Sequence, residues 1–94
     1  MKLLVFATYR QIVNAKSVDI PIPNEGTTVK ELLQGLIHQF PAFEIELFAQ
    51  DDKNRLKPFI HLFVNGRNII HLDGLATPVK DTDEIALIPP VGGG

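Results

Sequence analysis

Residues 27–40, TTVKELLQGLIHQF, carry the pattern that most restricts how this chain can fold. Val29, Leu32, Leu33, Leu36, Ile37 and Phe40 recur at intervals of three and four, so a helix would gather them into one apolar stripe. Thr28 and Glu31 fit a capping box, in which hydroxyl and carboxylate each satisfy an orphan backbone donor. Pro41 ends the helix, and Gly35 weakens it from within. A single amphipathic helix has one stripe to bury. The rest of the chain must supply the surface it lies on.

That surface reads as a sheet. Lys2 to Thr8 is a β-prone run, with Leu3, Val5 and Ala7 on one face and Leu4, Phe6 and Thr8 on the other. Residues 10–17 are polar with a turn at Asn14, and alternation resumes through Val18, Ile20 and Ile22. The two runs are expected to form a hairpin, with Pro21 and Pro23 placing its second strand at an edge. FIHLFVNGRNIIHL is a second hairpin about Asn65-Gly66, the favoured pair for a tight type I′ turn. EIALIPP is the last strand, and residues 43–58 are a short helix or irregular loop. The order β-β-α-β-β-β predicts an α+β fold, a mixed sheet of four to five strands wrapped over one main helix. Residues 1–91 form one domain, followed by a flexible glycine tail at 92–94.

Composition removes several classes of function. With 45% hydrophobic residues the chain can bury a core, and with no cysteine it has neither disulfides nor thiolate chemistry. A net charge of −2 argues against nucleic acid or an acidic membrane as partner, and no stretch approaches a membrane span, which suggests the cytoplasm. A two-residue turn would set His61 opposite Ile70 and His71 opposite Ile60, on opposite faces of the hairpin, so no metal site is expected. Ser17 is the only serine and no nucleophile motif surrounds it. The chain does not read as a catalyst by itself.

The sequence closes on IPPVGGG. Glycine buries no apolar surface and loses the most backbone freedom on ordering, so these residues gain nothing from packing. Pro89 and Pro90 stiffen the exit from the last strand, and Val91 precedes Gly92, Gly93 and Gly94. From Pro89 to Gly94 the chain can reach about 20 Å if extended. A partner's narrow tunnel would admit such a thread. The α-carboxylate of Gly94, once activated by adenylation, could then accept sulfur, an amine or a thiol. The helix covers one side of the sheet only, which leaves Phe6, Phe63, Ala86, Ile88 and Ile70 as candidates for an exposed apolar patch. Segment 43–58 is the alternative cover for part of it.

FATYRQIV (Phe6 to Val13) resembles the F-A-x-x-R-E/Q-L/I-V start of the MoaD/ThiS-type ubiquitin-like sulfur carriers. VKDTDEIALIPPVGGG (Val79 to Gly94) resembles their D-G-D-E-V-x-x-x-P-P-V-x-G-G end, with VNG at Val64 to Gly66 between. The likeness runs through the whole chain in order and is nearest to the MoaD branch, the small subunits of molybdopterin synthase. It implies a β-grasp (ubiquitin-like) fold. It also implies an E1-like enzyme of the MoeB/ThiF type that uses Mg-ATP to adenylate Gly94. A sulfur donor such as a cysteine desulfurase or rhodanese would then convert Gly94 to a thiocarboxylate, delivered to an acceptor such as the molybdopterin synthase large subunit. Phe6 and Ile88 would match apolar contacts with partners, in company with Phe63, Ala86, Pro89, Pro90 and Val91. The chain itself would bind no cofactor. Three departures stand out: Thr82 in place of a turn glycine, a third glycine at Gly92, and a longer stretch from Asn65 to Pro78. The last resembles carriers for cysteine or homocysteine synthesis, or archaeal carriers that double as protein tags. Thiamine synthesis, tRNA thiolation and isopeptide modification therefore remain open beside the molybdopterin pathway.

Overall fold

A computed structural model describes residues 1–90. Val91, Gly92, Gly93 and Gly94 lie outside the described residues.

The chain begins with β1 (Lys2–Val5), α1 (Thr8–Val13) and β2 (Ser17–Asp19). Next come β3 (Thr27–Thr28), the main helix α2 (Val29–Gln39) and a short α3 (Phe43–Leu47). The second half holds β4 (His61–Val64), β5 (Arg67–Asn68), two 3-10 turns (Ile69–His71 and Gly74–Ala76), β6 (Pro78–Val79) and β7 (Ile85–Ile88). Five strands make one sheet in the order β2-β1-β7-β4-β5, while β3 and β6 pair separately. Among the described residues only the β1–β7 pair is parallel. This is the β-grasp architecture, a mixed sheet wrapped over one helix.

The helix forms where its spacing requires. Val29, Leu32, Leu33 and Leu36 are fully buried against Leu3, Val5, Leu62, Ile85 and Leu87 of the sheet. The Thr28 hydroxyl accepts the Glu31 N–H at 3.3 Å, one half of the capping box. The other half differs, because the Glu31 carboxylate takes the Thr27 hydroxyl instead. Gly35 has a packing reason. A Cβ there would stand 2.8 Å from Cγ2 of Ile20, itself only 1% exposed. The residue that weakens α2 as a helix is the one that lets β2's trailing chain close on it.

Three expectations need correction. Residues 8–13 are a helix and not part of a polar turn: Tyr9, Ile12 and Val13 follow helical spacing, but over too few residues to stand out from the flanking strands. Asn14 does end this segment, in the left-handed region at φ 57°, where asparagine is tolerated. Thr27–Thr28 and Pro78–Val79 form a small ladder that cap and connector signals conceal. The Asn65-Gly66 turn forms as expected, with φ of 52° and 82°, and pairs Val64 with Arg67 and Phe63 with Asn68. Pairing stops there, because Ile69–His71 coil into a 3-10 turn. His71 therefore never faces Ile60. Thr82, by contrast, needs no glycine, since its φ is not positive.

Segment 43–58 serves the helix side. Phe43 meets Tyr9 and Phe40 edge to face at 5.2 and 6.5 Å between centroids, and Leu47 and Phe48 are buried with it. The Tyr9 hydroxyl is drawn into this apolar cluster and finds no hydrogen-bond partner among the described residues. No helix among the described residues is long and apolar enough to cross a membrane.

Two stability predictions follow from these contacts. Gly35→Ala gains about 1 kcal/mol of helix propensity but forces a β-branched neighbour to shift, at about 1–3 kcal/mol. Denaturant unfolding should show net destabilisation. In Tyr9→Phe the buried, unpartnered hydroxyl disappears, and stability should hold or rise by about 1 kcal/mol at pH 7. Burial first, and the charge of Glu46 second, push the Tyr9 phenol up to about 12. The unfolded phenol titrates near about 10. The native state thus favours the protonated form, and this contribution is complete below pH 10 and lost as pH rises through 12. The stability gap in favour of the Phe variant should widen over that range.

Candidate functional site

The site begins where β1 ends. Tyr9 N–H donates to the Phe6 carbonyl at 3.1 Å, closing a tight turn whose first central residue, Ala7, has φ 51° and ψ −128°. Those angles belong to position i+1 of a type II′ turn, a place normally held by glycine. The turn sends Tyr9 into the core and leaves Phe6 half-exposed. It also swings Arg10 back over its own origin. Arg10 Nε donates to the Val5 carbonyl at 2.7 Å, and the guanidinium carbon sits 4.8 Å from the Phe6 ring centroid. The stacked cation holds that ring at the surface.

Strand β7 runs through the middle of the sheet and carries the outward residues across it. Leu4 of β1 lies beside Ala86 of β7, and Ala86 beside Phe63 of β4. Two pairs further along, on the same side of the sheet, Ile88 faces His61. Leu4, Phe6, Phe63, Ala86 and Ile88 are all half-exposed, so the side of the sheet away from α2 is an apolar strip with open access. At its border His61 Nδ1 accepts from Asn68 Nδ2 at 3.0 Å, and Asn68 Oδ1 accepts the Ile70 N–H at 3.1 Å. Ile70 itself belongs to the 3-10 turn beyond β5 and not to this strip.

Past Ile88, Pro89 is buried and Pro90 exposed. Pro89, expected at the partner surface, is thus held in the body at the strand's end. Gly94, the expected reacting residue, lies with Val91, Gly92 and Gly93 outside the described residues. The other end of β7 is fastened by the hairpin turn. Asn65 N–H donates to the Glu84 carbonyl, Glu84 N–H to Asn65 Oδ1, and Asn65 Nδ2 to Asp83 Oδ1, all within 2.8–2.9 Å. Among the described residues no three His, Asp or Glu side chains gather as a metal site.

Comparison with known proteins settles the family. The model of the ThiS family matches residues 3–94. The chain belongs to the ThiS family. Small archaeal modifier protein 3 of Haloferax volcanii is 33% identical over all of this chain and 98% of its own. The solution structure of small archaeal modifier protein 1 from Methanosarcina acetivorans superposes with a TM-score of 0.83 at 34% identity, covering 99% of this chain and 94% of that one. The molybdopterin synthase sulfur carrier subunit of Dictyostelium discoideum is 29% identical over 99% of this chain and 94% of its own. This ThiS-family chain is therefore a ubiquitin-like sulfur carrier or modifier, a class of small proteins that work with partner enzymes and are not catalysts themselves.

Strand alternation marks the outward residues of β1, β4 and β7. It also sets Ala7 on the inward face with Leu3 and Val5, whereas Ala7 is exposed in a turn past the end of β1. It gives no role to Arg10 or Asn68. Arg10 and Ala7 lie within the FATYR motif, so a signal was present. Its meaning, a glycine-like turn and a stacked cation, is set by tertiary structure. Replacing Ala7 with glycine removes about 1–3 kcal/mol of backbone strain against about 0.5–1 kcal/mol of added chain entropy. Ala7→Gly should therefore raise the denaturation midpoint and Ala7→Val should lower it.

Proposed function

We propose that this chain works through the carboxylate of Gly94. An E1-like enzyme of the MoeB/ThiF type would join that carboxylate to AMP from Mg-ATP, releasing pyrophosphate. The terminal sulfur of a donor persulfide, carried by a cysteine desulfurase or rhodanese, would then displace AMP to give an acyl disulfide. A second thiol of the partner would cleave its S–S bond, forming a disulfide with the donor cysteine and leaving a thiocarboxylate that an acceptor enzyme consumes. The observation that carries this reading is the placing of β7. It is the central strand, and it ends at Ile88 beside His61 and the half-exposed Phe6 strip, so a partner that grips the open face also meets the chain where it leaves the sheet.

The finer reading is molybdopterin synthase small subunit in molybdenum cofactor synthesis, in the cytoplasm. The PPVGGG ending and the likeness to the Dictyostelium subunit support it. A second reading, favoured by the likeness to a small archaeal modifier protein across the whole chain, is attachment of Gly94 to lysines of other proteins. Both readings use the same activated carbonyl.

Mass analysis of the protein from its own cells separates them. Lys80 is the last basic residue, so trypsin frees a peptide from Asp81 to Gly94. One oxygen replaced by sulfur on that peptide is the expected result for a carrier, and the same peptide branched onto foreign lysines is the result for a modifier. Removal of Gly94 should abolish either product. Normal sulfur delivery and conjugation by the truncated chain would refute the proposal.

A further inference from the structure

Round the edge of the sheet lies a second apolar feature. Because β5 is only two residues long, the chain leaves the sheet at Ile69, and residues 54–60 cross beside it. Between the two segments is a groove of about 450 Å³. Leu56, Ile60, Ile69 and Leu75 line it, and Phe59 and Ile70 stand at its lips, 76% and 72% exposed.

Phe59 is unusual twice over. Its φ of 69° lies in the left-handed region, where a bulky side chain crowds its own carbonyl. The conformation brings little packing within the chain, since the residue is three-quarters in solvent. Strain without internal gain is a mark of sites that meet something else.

Charge narrows the choice of what that is. The chain carries a net −2, yet the groove lining includes Arg55 and Lys57 and no carboxylate. Arg55 is bonded to Asp51 at 3.0 Å across an exposed pair, and Lys57 joins no ion pair among the described residues. A second copy docking symmetrically would bring these cations together, which disfavours self-association. An apolar segment flanked by Asp or Glu fits both the floor and the rim. His61 lines the groove and is paired with Ile88, so the groove opens at the same end of the sheet as the exit from β7.

We infer that this groove is a second docking site, taken by an acidic-flanked apolar segment of the adenylating enzyme that activates Gly94. The inference rests on the proposed function and adds an address: the open face and exit guide the tail, and the groove selects the enzyme. Adenylation is the step that carrier and modifier readings share, so the site serves whichever is true.

The test uses the full-length chain with the E1-like enzyme of its own organism, reading ATP–pyrophosphate exchange. Phe59→Ser and Ile70→Asp change exposed side chains, so folding should survive, as circular dichroism would verify. Each should raise KM for the chain about tenfold with kcat within about twofold, the sign of lost ground-state binding. Lys57→Glu should also raise KM and should flatten the rise of KM with salt seen for the wild type. In ¹H–¹⁵N spectra, amides at 56–61 and 69–75 should broaden when the enzyme is added without ATP. If the wild type is adenylated, Gly94 removal abolishes the reaction and all three groove variants keep the wild-type KM, the groove is not a docking site and the proposed function stands. If the wild type is never adenylated, both fall together.

Discussion

The whole arrangement depends on β7 lying in the centre of the sheet. Ile85 and Leu87 are completely buried, and the strand joins β1 on one side to β4 on the other. Neither half of the chain has a closed core until this late segment is inserted. Its pairing with β1 spans nearly the full sequence, the kind of long-range contact that carries the largest loop-closure cost. What is gained is a rigid base for whatever follows Ile88. A reactive group carried beyond that point is presented from the best-supported strand in the molecule, and not from a fraying edge.

One helix against a five-stranded sheet leaves one side open. The inward residues of β1, β4 and β7 are buried by α2, and the outward ones have only each other and solvent. Half-exposed Phe6, Phe63 and Ile88 are thus a consequence of having a single helix, and segment 43–58 does not change that, because Phe43, Leu47 and Phe48 join the core on the helix side. Partner binding is the economical use of a surface that the fold leaves uncovered.

The strained positions Ala7 and Phe59 mark the two surfaces a partner would meet. Ala7 makes the turn that faces Phe6 outward and lets Arg10 stack on it. Phe59 holds its side chain at the lip of an apolar groove edged by Arg55 and Lys57. In each case the backbone accepts an unfavourable angle, and the result is an apolar side chain held at the surface instead of inside.

The sequence by itself determined the elements whose physics is local. The 3-and-4 spacing from Val29 to Phe40 made α2, Thr28 capped it, and Asn65-Gly66 made the hairpin turn, because periodicity, capping and turn chemistry act over a few residues. The FATYR and PPVGGG stretches also carried the family. Tertiary structure alone decided the rest. Tyr9, Ile12 and Val13 became a helix because Tyr9 had to reach Phe43, and Gly35 was required by the approach of Ile20. Pairing stopped after Asn68 because Ile69 is needed in the core, which opens the groove beside it. Each of these outcomes turns on which distant residue arrives next to which, and no short window of sequence contains that information.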